Sequence, residues 1–152
     1  MIDRGEILEA ASSFSLLPNV VEKDYILGWI LAGINAHEGL AESWIFKGGT
    51  CLKKCYFETY RFSEDLDFTL RNEEHLDEKF LQTVFEEVIA WVTEQSGLNI
   101  PADQLELGLS ARTPVWRCAL REYAAVLECR ARIVSGGLVR PLPHSDARQE
   151  TS

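Results

Sequence analysis

Two aspartates lie one residue apart in the stretch DLDFTL at residues 65–70. Side chains at positions i and i+2 of a strand project from the same face, roughly 6.5 to 7 Å apart along the backbone. Carboxylates at that separation can converge on divalent ions about 4 Å apart, and their hard oxygens suit Mg²⁺ or Mn²⁺. Solvent-facing strands also carry paired acids without any metal, so Asp65 and Asp67 alone leave both interpretations open.

The stretch FKGGTCLKKC at residues 46–55 supplies groups that suit a phosphate. The backbone of Gly48 and Gly49 can approach a phosphate closely, and the N–H groups that begin the following helix favour an anion. The same stretch contains the hydroxyl group of Thr50 and the ammonium groups of Lys47, Lys53 and Lys54. The alternative is a tight turn beside solvated lysines. Taken with the paired aspartates, the stretch indicates a nucleotide site, because phosphoryl transfer needs metal, positioning and charge neutralisation.

The elements that must position these groups can be read from the hydrophobic pattern. Apolar and polar side chains alternate over residues 65–70, with Leu66, Phe68 and Leu70 on one face, which predicts a half-buried strand. A short apolar strand is expected at 44–46, before the glycines, and helical character follows over 50–56. The two sets of groups are therefore joined by one short helix.

Longer helices are predicted on either side of this region. One covers 5–14, and a second runs to about residue 36, with Asn19 as its N-cap and Glu22 as the capping-box partner. A third is capped by Asn72 and ends at Gly97. The side chains expected to be buried on the second helix are Val21, Tyr25, Trp29 and either Ala32 or Leu31. Those expected on the third are Leu76, Phe80, Val84, Val88 and Trp91.

Two or three further strands are predicted at about 104–109, 115–123 and 125–134. The expected fold is α/β or α+β, a small mixed β-sheet with helices packed on one side. Residues 1–135 would form this core. Residues 136–152 lack periodicity and are expected to be a flexible tail.

Charge and composition narrow the class of protein. The formal net charge is −9, yet residues 110–152 hold seven arginines against four acids. An acidic body argues against nonspecific nucleic-acid binding and is compatible with a carboxylate-lined metal site. Four cysteines include no CxxC pair, which disfavours structural zinc. No signal-peptide pattern is seen, so a cytoplasmic location is expected.

Three sequence blocks carry a family resemblance. The blocks FKGGTCLKKCY and RFSEDLDF, preceded by VEKDYIL at residues 21–27, resemble the signature of the AbiEii-type nucleotidyltransferase toxins, which include the MenT toxins. The match covers residues 20–70, with the blocks in the family's order and spacing. The resemblance implies a polymerase-β-like nucleotidyltransferase core and a role in a toxin–antitoxin or abortive-infection system.

The resemblance also implies roles for individual residues. Gly48, Gly49 and Thr50 would hold the triphosphate, and Asp65 and Asp67 would bind Mg²⁺. Further residues that match the motifs are Ser63, Arg61, Lys23 and Asp24. Arg61 would pair with an acid or a phosphate, or only stabilise the loop. A salt-bridged helix surface explains Lys23 and Asp24 equally well.

The sequence departs from the family pattern in its second half. A third carboxylate is expected from a later strand, where Glu128 in VLECRAR is the best match. Otherwise Glu128 is an exposed acid that pairs with Arg130 or Arg132. No lysine follows Lys79, so a downstream cation that grips the nucleotide would be an arginine. The arginines considered are Arg117, Arg121 and Arg130. The resemblance also implies a C-terminal helical region, and we expect no counterpart of it in residues 136–152.

These observations favour an enzyme, an Mg²⁺-dependent nucleotidyltransferase that moves a nucleotide from an NTP to RNA, notably tRNA, or to protein. A cognate antitoxin protein would be its partner. A different class of function remains open, a truncated and inactive remnant that binds NTP only as a binding module. A third is an interaction domain whose acidic strand is not catalytic. NTP binding without turnover would indicate the remnant, and the interaction domain would show no Mg²⁺-dependent change in nucleotide binding or thermal stability.

Overall fold

The chain forms a mixed β-sheet with helices packed against it, as a computed structural model describes. Residues 2–57 and 65–101 are described in full, together with the backbone of three strands at 105–109, 114–120 and 125–133. The strands are β1 (Trp44–Lys47), β2 (Asp65–Leu70), β3 (Leu105–Leu109), β4 (Pro114–Leu120) and β5 (Ala125–Ile133). The helices are α1 (Arg4–Phe14), α2 (Pro18–Ala36), α3 (Glu38–Ala41), α4 (Gly48–Cys55) and α5 (Glu78–Ser96), with a 3-10 helix at Glu73–Leu76. The α+β fold expected from the sequence is confirmed, whereas the expected tail at 136–152 lies outside the described residues.

The sheet order is β1-β2-β5-β4-β3, which differs from the order along the chain. Strand β2 pairs antiparallel with β1 and parallel with β5. Strand β4 then pairs antiparallel with both β5 and β3. The strand that carries Asp65 and Asp67 therefore lies between an early strand and the last one, so residues from both halves of the chain become its neighbours.

The hydrophobic core lies between one face of the sheet and the helices α2 and α5. Leu66, Phe68 and Leu70 of β2 are buried there, as the alternating pattern predicted. The ring of Phe68 packs 5.4 Å from the rings of both Trp44 and Phe46. Burying each such side chain contributes about 1.5–3 kcal/mol. This packing orients β2 and leaves its aspartates on the other face.

The beginning of α2 differs from the prediction. The N-cap is Leu17, which makes no side-chain capping bond, and Pro18 is the first helical residue. Asn19 and Glu22 therefore do not form the expected cap. The physical reason is that proline's fixed φ and missing N–H are well suited to the first helical position.

The beginning of α5 also differs from the prediction. Asn72 precedes only the 3-10 helix and makes no capping bond with its side chain. Asp77 caps α5 instead, where its Oδ1 accepts a hydrogen bond from Phe80 N at 2.9 Å. The expected end of this helix at Gly97 is confirmed, with a φ of 72°.

The buried face of α2 is rotated from the expected one. Tyr25, Trp29 and Leu31 are half-buried and pack against the core, whereas Ala32 is exposed. The residues of α2 that are buried are Ile26, Leu27, Ile30, Gly33 and Ile34. Because α2 is apolar around most of its circumference, its periodicity does not select a face, and contact with α5 decides it. On α5 itself, the burial of Val84 and Val88 is confirmed.

Among the helices in the described ranges, none is both long enough and apolar enough to cross a membrane.

Candidate functional site

Strand β2 carries the two aspartates on the face away from the core. Asp65 and Asp67 are each half-buried, while Leu66 between them is fully buried on the opposite face. The strand geometry therefore holds both carboxylates on one side of the sheet, beside the first turn of α4.

Gly48, the first residue of α4, lies against the carboxylate of Asp67. Gly48 has a φ of 79°, a backbone conformation that side chains with a Cβ rarely adopt. A Cβ at this position would lie 3.1 Å from Asp67 Cβ and closer still to Asp67 Oδ2. The Asp67 carboxylate therefore occupies space that only a glycine leaves open. We refer to Gly48 and Gly49, which begin α4, as the glycine turn.

Thr50 ties the same helix to the strand. Its side chain is 1% exposed, and its Oγ1 donates a hydrogen bond to the main-chain oxygen of Asp65 at 2.5 Å. The sequence predicts that Thr50 binds phosphate, and the structure shows that its hydroxyl group is hydrogen-bonded to the main chain of the protein. This bond fixes the distance between the glycine turn and the backbone of Asp65.

The register of the sheet brings later residues beside the aspartates. Glu128 of β5 is paired with Asp65, and Arg130 of β5 is paired with Asp67. On the other side of β2, Lys47 is paired with Asp67. Partners in register occupy the same face of a sheet. The backbone therefore brings the three carboxylate residues named from the sequence to adjacent positions, Asp65, Asp67 and Glu128.

Arg117 of β4 occupies the register position next to Glu128. Two of the three arginines considered from the sequence, Arg117 and Arg130, thus stand on strands that adjoin the carboxylate positions. Three residues named from the sequence, Ser63, Arg61 and Arg121, lie outside the described residues.

The lysines of α4 bind an acid on α2. Lys53 Nζ lies 2.7 Å from Asp24 Oδ1, and Lys54 Nζ lies 3.1 Å from Asp24 Oδ2. Lys54 Nζ also donates to the main-chain oxygen of Asp24 at 3.2 Å. We call these three residues, Asp24, Lys53 and Lys54, the lysine clamp. Burial lowers the pKa of Lys53, and the hydrogen bond and charge of Asp24 oppose that shift.

The role of Asp24 was left undecided by the sequence. Asp24 and Lys53 are 29 residues apart, so no local spacing rule connects them. The available signal was the presence of an acid in the block VEKDYIL and two adjacent lysines in the block FKGGTCLKKC. The structure shows that Asp24 forms ion pairs with both lysines of α4.

The carboxylates of Asp65 and Asp67 are the groups to test as ligands of a metal ion at this site. In the parts of the chain with described side chains, no group of three or more His, Cys, Asp or Glu residues could hold a metal ion. Asp65 and Asp67 offer hard oxygen donors from one strand face, and Glu128 contributes a backbone position beside them. Such a donor set fits Mg²⁺ or Mn²⁺ better than a softer metal.

A family model described as "Nucleotidyl transferase AbiEii toxin, Type IV TA system" matches residues 29–131. The match covers more than half of the chain and includes the glycine turn, β2 and β5 as far as residue 131. Comparison with the curated proteins and with the solved structures returned no match.

Proposed function

Because this chain belongs to the AbiEii nucleotidyl transferase toxin family of type IV toxin–antitoxin systems, we propose that it transfers a nucleotide from an NTP to an acceptor hydroxyl. The acceptor class we propose is RNA, notably tRNA, with protein as the alternative. We also propose a cognate antitoxin as its partner and defence by abortive infection as its setting. One observation supports this activity above all others. The sheet register sets Glu128 beside Asp65, and Gly48 leaves room for the carboxylate of Asp67 on the same strand as Asp65.

The glycine turn is proposed to bind the β- and γ-phosphates of the NTP. Gly48 is exposed at the start of α4, so its backbone is open to a ligand. The first N–H groups of a helix have no partner within the helix, and the helix dipole favours negative charge there. Lys47, the last residue of β1, is half-buried and directly precedes Gly48. We propose that its ammonium group neutralises phosphate charge.

Asp65 and Asp67 are proposed to hold Mg²⁺, or Mn²⁺ in its place. The bound ion would supply charge neutralisation at the phosphates and at the pyrophosphate leaving group. Their common strand face supports this role, as do the hydrogen bond of Thr50 to β2 and the close approach of Gly48 to the Asp67 carboxylate. A side chain that cannot ionise at position 65 or 67 should therefore remove the activity.

Glu128 is proposed to complete the carboxylate set and to accept the proton of the acceptor hydroxyl. In that step the acceptor oxygen forms a bond to the α-phosphorus, and the bond between the α-phosphorus and the bridging oxygen to the β-phosphate breaks. Arg130 and Arg117, at register positions beside the carboxylates, are proposed to bind the nucleotide. Arg61 and Ser63, in the motif before β2, are proposed as further nucleotide contacts.

A transfer assay tests this function. Purified protein is incubated with Mg²⁺, total tRNA and each α-labelled NTP in turn, beside the double variant Asp65→Asn/Asp67→Asn. We expect label on RNA, or on protein, with the wild type and none with the double variant. Glu94→Gln serves as a matched control, because Glu94 is an exposed acid on α5. Measurable NTP binding without any label on RNA or protein would contradict the proposal and indicate a binding module instead.

A further inference from the structure

Helix α4 presents a polar face to the protein rather than an apolar one. Thr50, Lys53 and Lys54 are spaced at i, i+3 and i+4, so they share one side of the helix. The side chains of Lys53 and Lys54 are only 11% and 20% exposed. Leu52, by contrast, is 39% exposed. The helix is thus attached at this face by hydrogen bonds and ion pairs.

The two ends of this polar face bind different elements. Near its N-terminus, Thr50 donates to the Asp65 backbone on β2. Near its C-terminus, Lys53 and Lys54 bind Asp24 on α2. Because α4 has only eight residues, a movement at its last turn is transmitted directly to the glycine turn.

We propose that Asp24 is a positioning residue, which holds the glycine turn in place for the NTP through Lys53 and Lys54. This inference rests on the proposed function, because it assigns the turn's ligand from it. It gives Lys54 a role different from direct phosphate contact, since both oxygens that Lys54 Nζ binds belong to Asp24.

The charges explain why one acid can control the helix. Two ammonium groups share one carboxylate, so Asp24 compensates charges that would otherwise repel each other. Without the carboxylate, the long lysine stems can turn their charged ends towards water. Helix α4 would then lose its ion pairs with the Asp24 carboxylate and be held less firmly against α2, through contacts such as the hydrogen bond of Lys54 to the Asp24 main-chain oxygen. The binding-competent position of the turn would therefore be less populated.

The first test is hydrogen exchange of the α4 amides, which needs no activity. Asp24→Asn preserves the side-chain shape and removes its charge. We expect exchange of the α4 amides to accelerate about tenfold or more, with exchange in α5 unchanged. Asp24→Glu should restore part of the protection. Unchanged exchange in α4 would overturn the proposal, whether or not the protein transfers nucleotides.

The second test is NTP affinity in the presence of Mg²⁺, measured on folded protein below its unfolding temperature. If the clamp positions the turn, Asp24→Asn and Lys54→Met should each raise the Kd for NTP about tenfold, with kcat at saturating NTP changed far less. The double variant Asp24→Asn/Lys54→Met should be little worse than either single variant. Lys79→Met and Glu94→Gln, both on exposed positions of α5, are matched controls.

Direct phosphate contact by Lys54 predicts the opposite sign for one variant. Asp24→Asn would then release the Lys54 ammonium group and leave NTP binding unchanged or tighter, a result that overturns the proposal. A wild type that binds no NTP would reject the proposed function, whereas the exchange experiment would still decide whether Asp24 holds α4.

Discussion

The geometry restricts the identity of Gly48 more strongly than that of the other glycines in the described part of the chain. Its φ of 79° excludes most side chains on backbone grounds. Independently, a Cβ there would enter the space of the Asp67 carboxylate. Gly97 offers a comparison, because its φ is 72° and a Cβ there would meet no atom within 4 Å. The two glycines therefore separate the backbone requirement from the contact with Asp67.

We expect Gly48→Ala and Gly97→Ala to cost similar amounts of backbone stability but to differ in activity. Each should lower the free energy of unfolding by about 1–2 kcal/mol, the cost of a left-handed conformation with a Cβ. Only Gly48→Ala should also displace the Asp67 carboxylate and lower kcat/KM about 100-fold. Urea unfolding and the transfer assay measure the two effects. Equal activity in the two variants would show that the contact with Asp67 is unimportant.

At the scale of elements, the helices are attached in two different ways. Helices α2 and α5 pack through apolar side chains, and Gly33 of α2 allows a close approach to Val88 and Val92 of α5. Helix α4 is attached through Thr50 and the lysine clamp. Apolar contacts are non-directional, whereas hydrogen bonds depend on the direction of the donor and the acceptor, so the placement of α4 depends on individual polar groups.

We expect substitution by alanine to have opposite effects on stability at Gly28 and Gly33 of α2, because Gly33 lies against α5 whereas Gly28 lies beside Lys54. Gly28→Ala should stabilise the protein by up to about 1 kcal/mol, because alanine is favoured in a helix. A Cβ at position 28 would lie 3.5 Å from the nearest atom, Lys54 Nζ, which is an ordinary contact.

Gly33→Ala gains the same helix propensity but places its Cβ 3.0 Å from Val88 Cγ1 and 3.1 Å from Val92 Cγ2. Overpacking of this kind costs about 1–3 kcal/mol, so the net effect should be destabilising. Urea midpoints of the two variants, compared with the wild type, measure the difference. A Gly33→Ala variant as stable as Gly28→Ala would mean that the two helices can separate without cost.

At the scale of the whole molecule, one buried histidine connects several elements. His75 lies in the 3-10 helix and is 9% exposed. Its Nδ1 accepts a hydrogen bond from Trp44 Nε1 of β1 at 3.1 Å, and its ring stacks on Phe80 of α5 at 4.4 Å. Because Nδ1 must remain unprotonated to accept this bond, the folded protein favours neutral imidazole. Burial lowers the pKa of His75, and the charge of Glu74 opposes that shift.

The lowered pKa of His75 predicts a loss of stability in mild acid. The unfolded chain binds a proton at His75 near the ordinary pKa of 6.5, whereas the folded protein does so only at lower pH. The contribution is therefore complete above pH 6.5 and is lost as pH falls through the folded-state pKa. Urea unfolding between pH 8 and pH 5 should show a smaller decline for His75→Gln, whose side-chain oxygen can still accept from Trp44. Identical profiles would contradict this assignment.

Much of the fold, and the placement of part of the candidate site, was predictable from the sequence alone. The alternation over residues 65–70 determined both the strand and the face on which Asp65 and Asp67 lie, because strand periodicity is a local property. The order of the glycines, the helix and the acidic strand likewise follows from the chain, since these residues are neighbours in sequence. The motifs also indicated the family that the matched model identifies.

Tertiary structure alone decided which distant residues meet. The pairing of β5 with β2 brings Glu128 beside Asp65, and the packing of α4 on α2 brings Asp24 to Lys53 and Lys54. The buried face of α2 was also decided by its neighbours, because an almost uniformly apolar helix carries no local signal for orientation. Sequence periodicity records how a residue relates to its own element, whereas register and helix docking depend on which surfaces fit together in the folded chain.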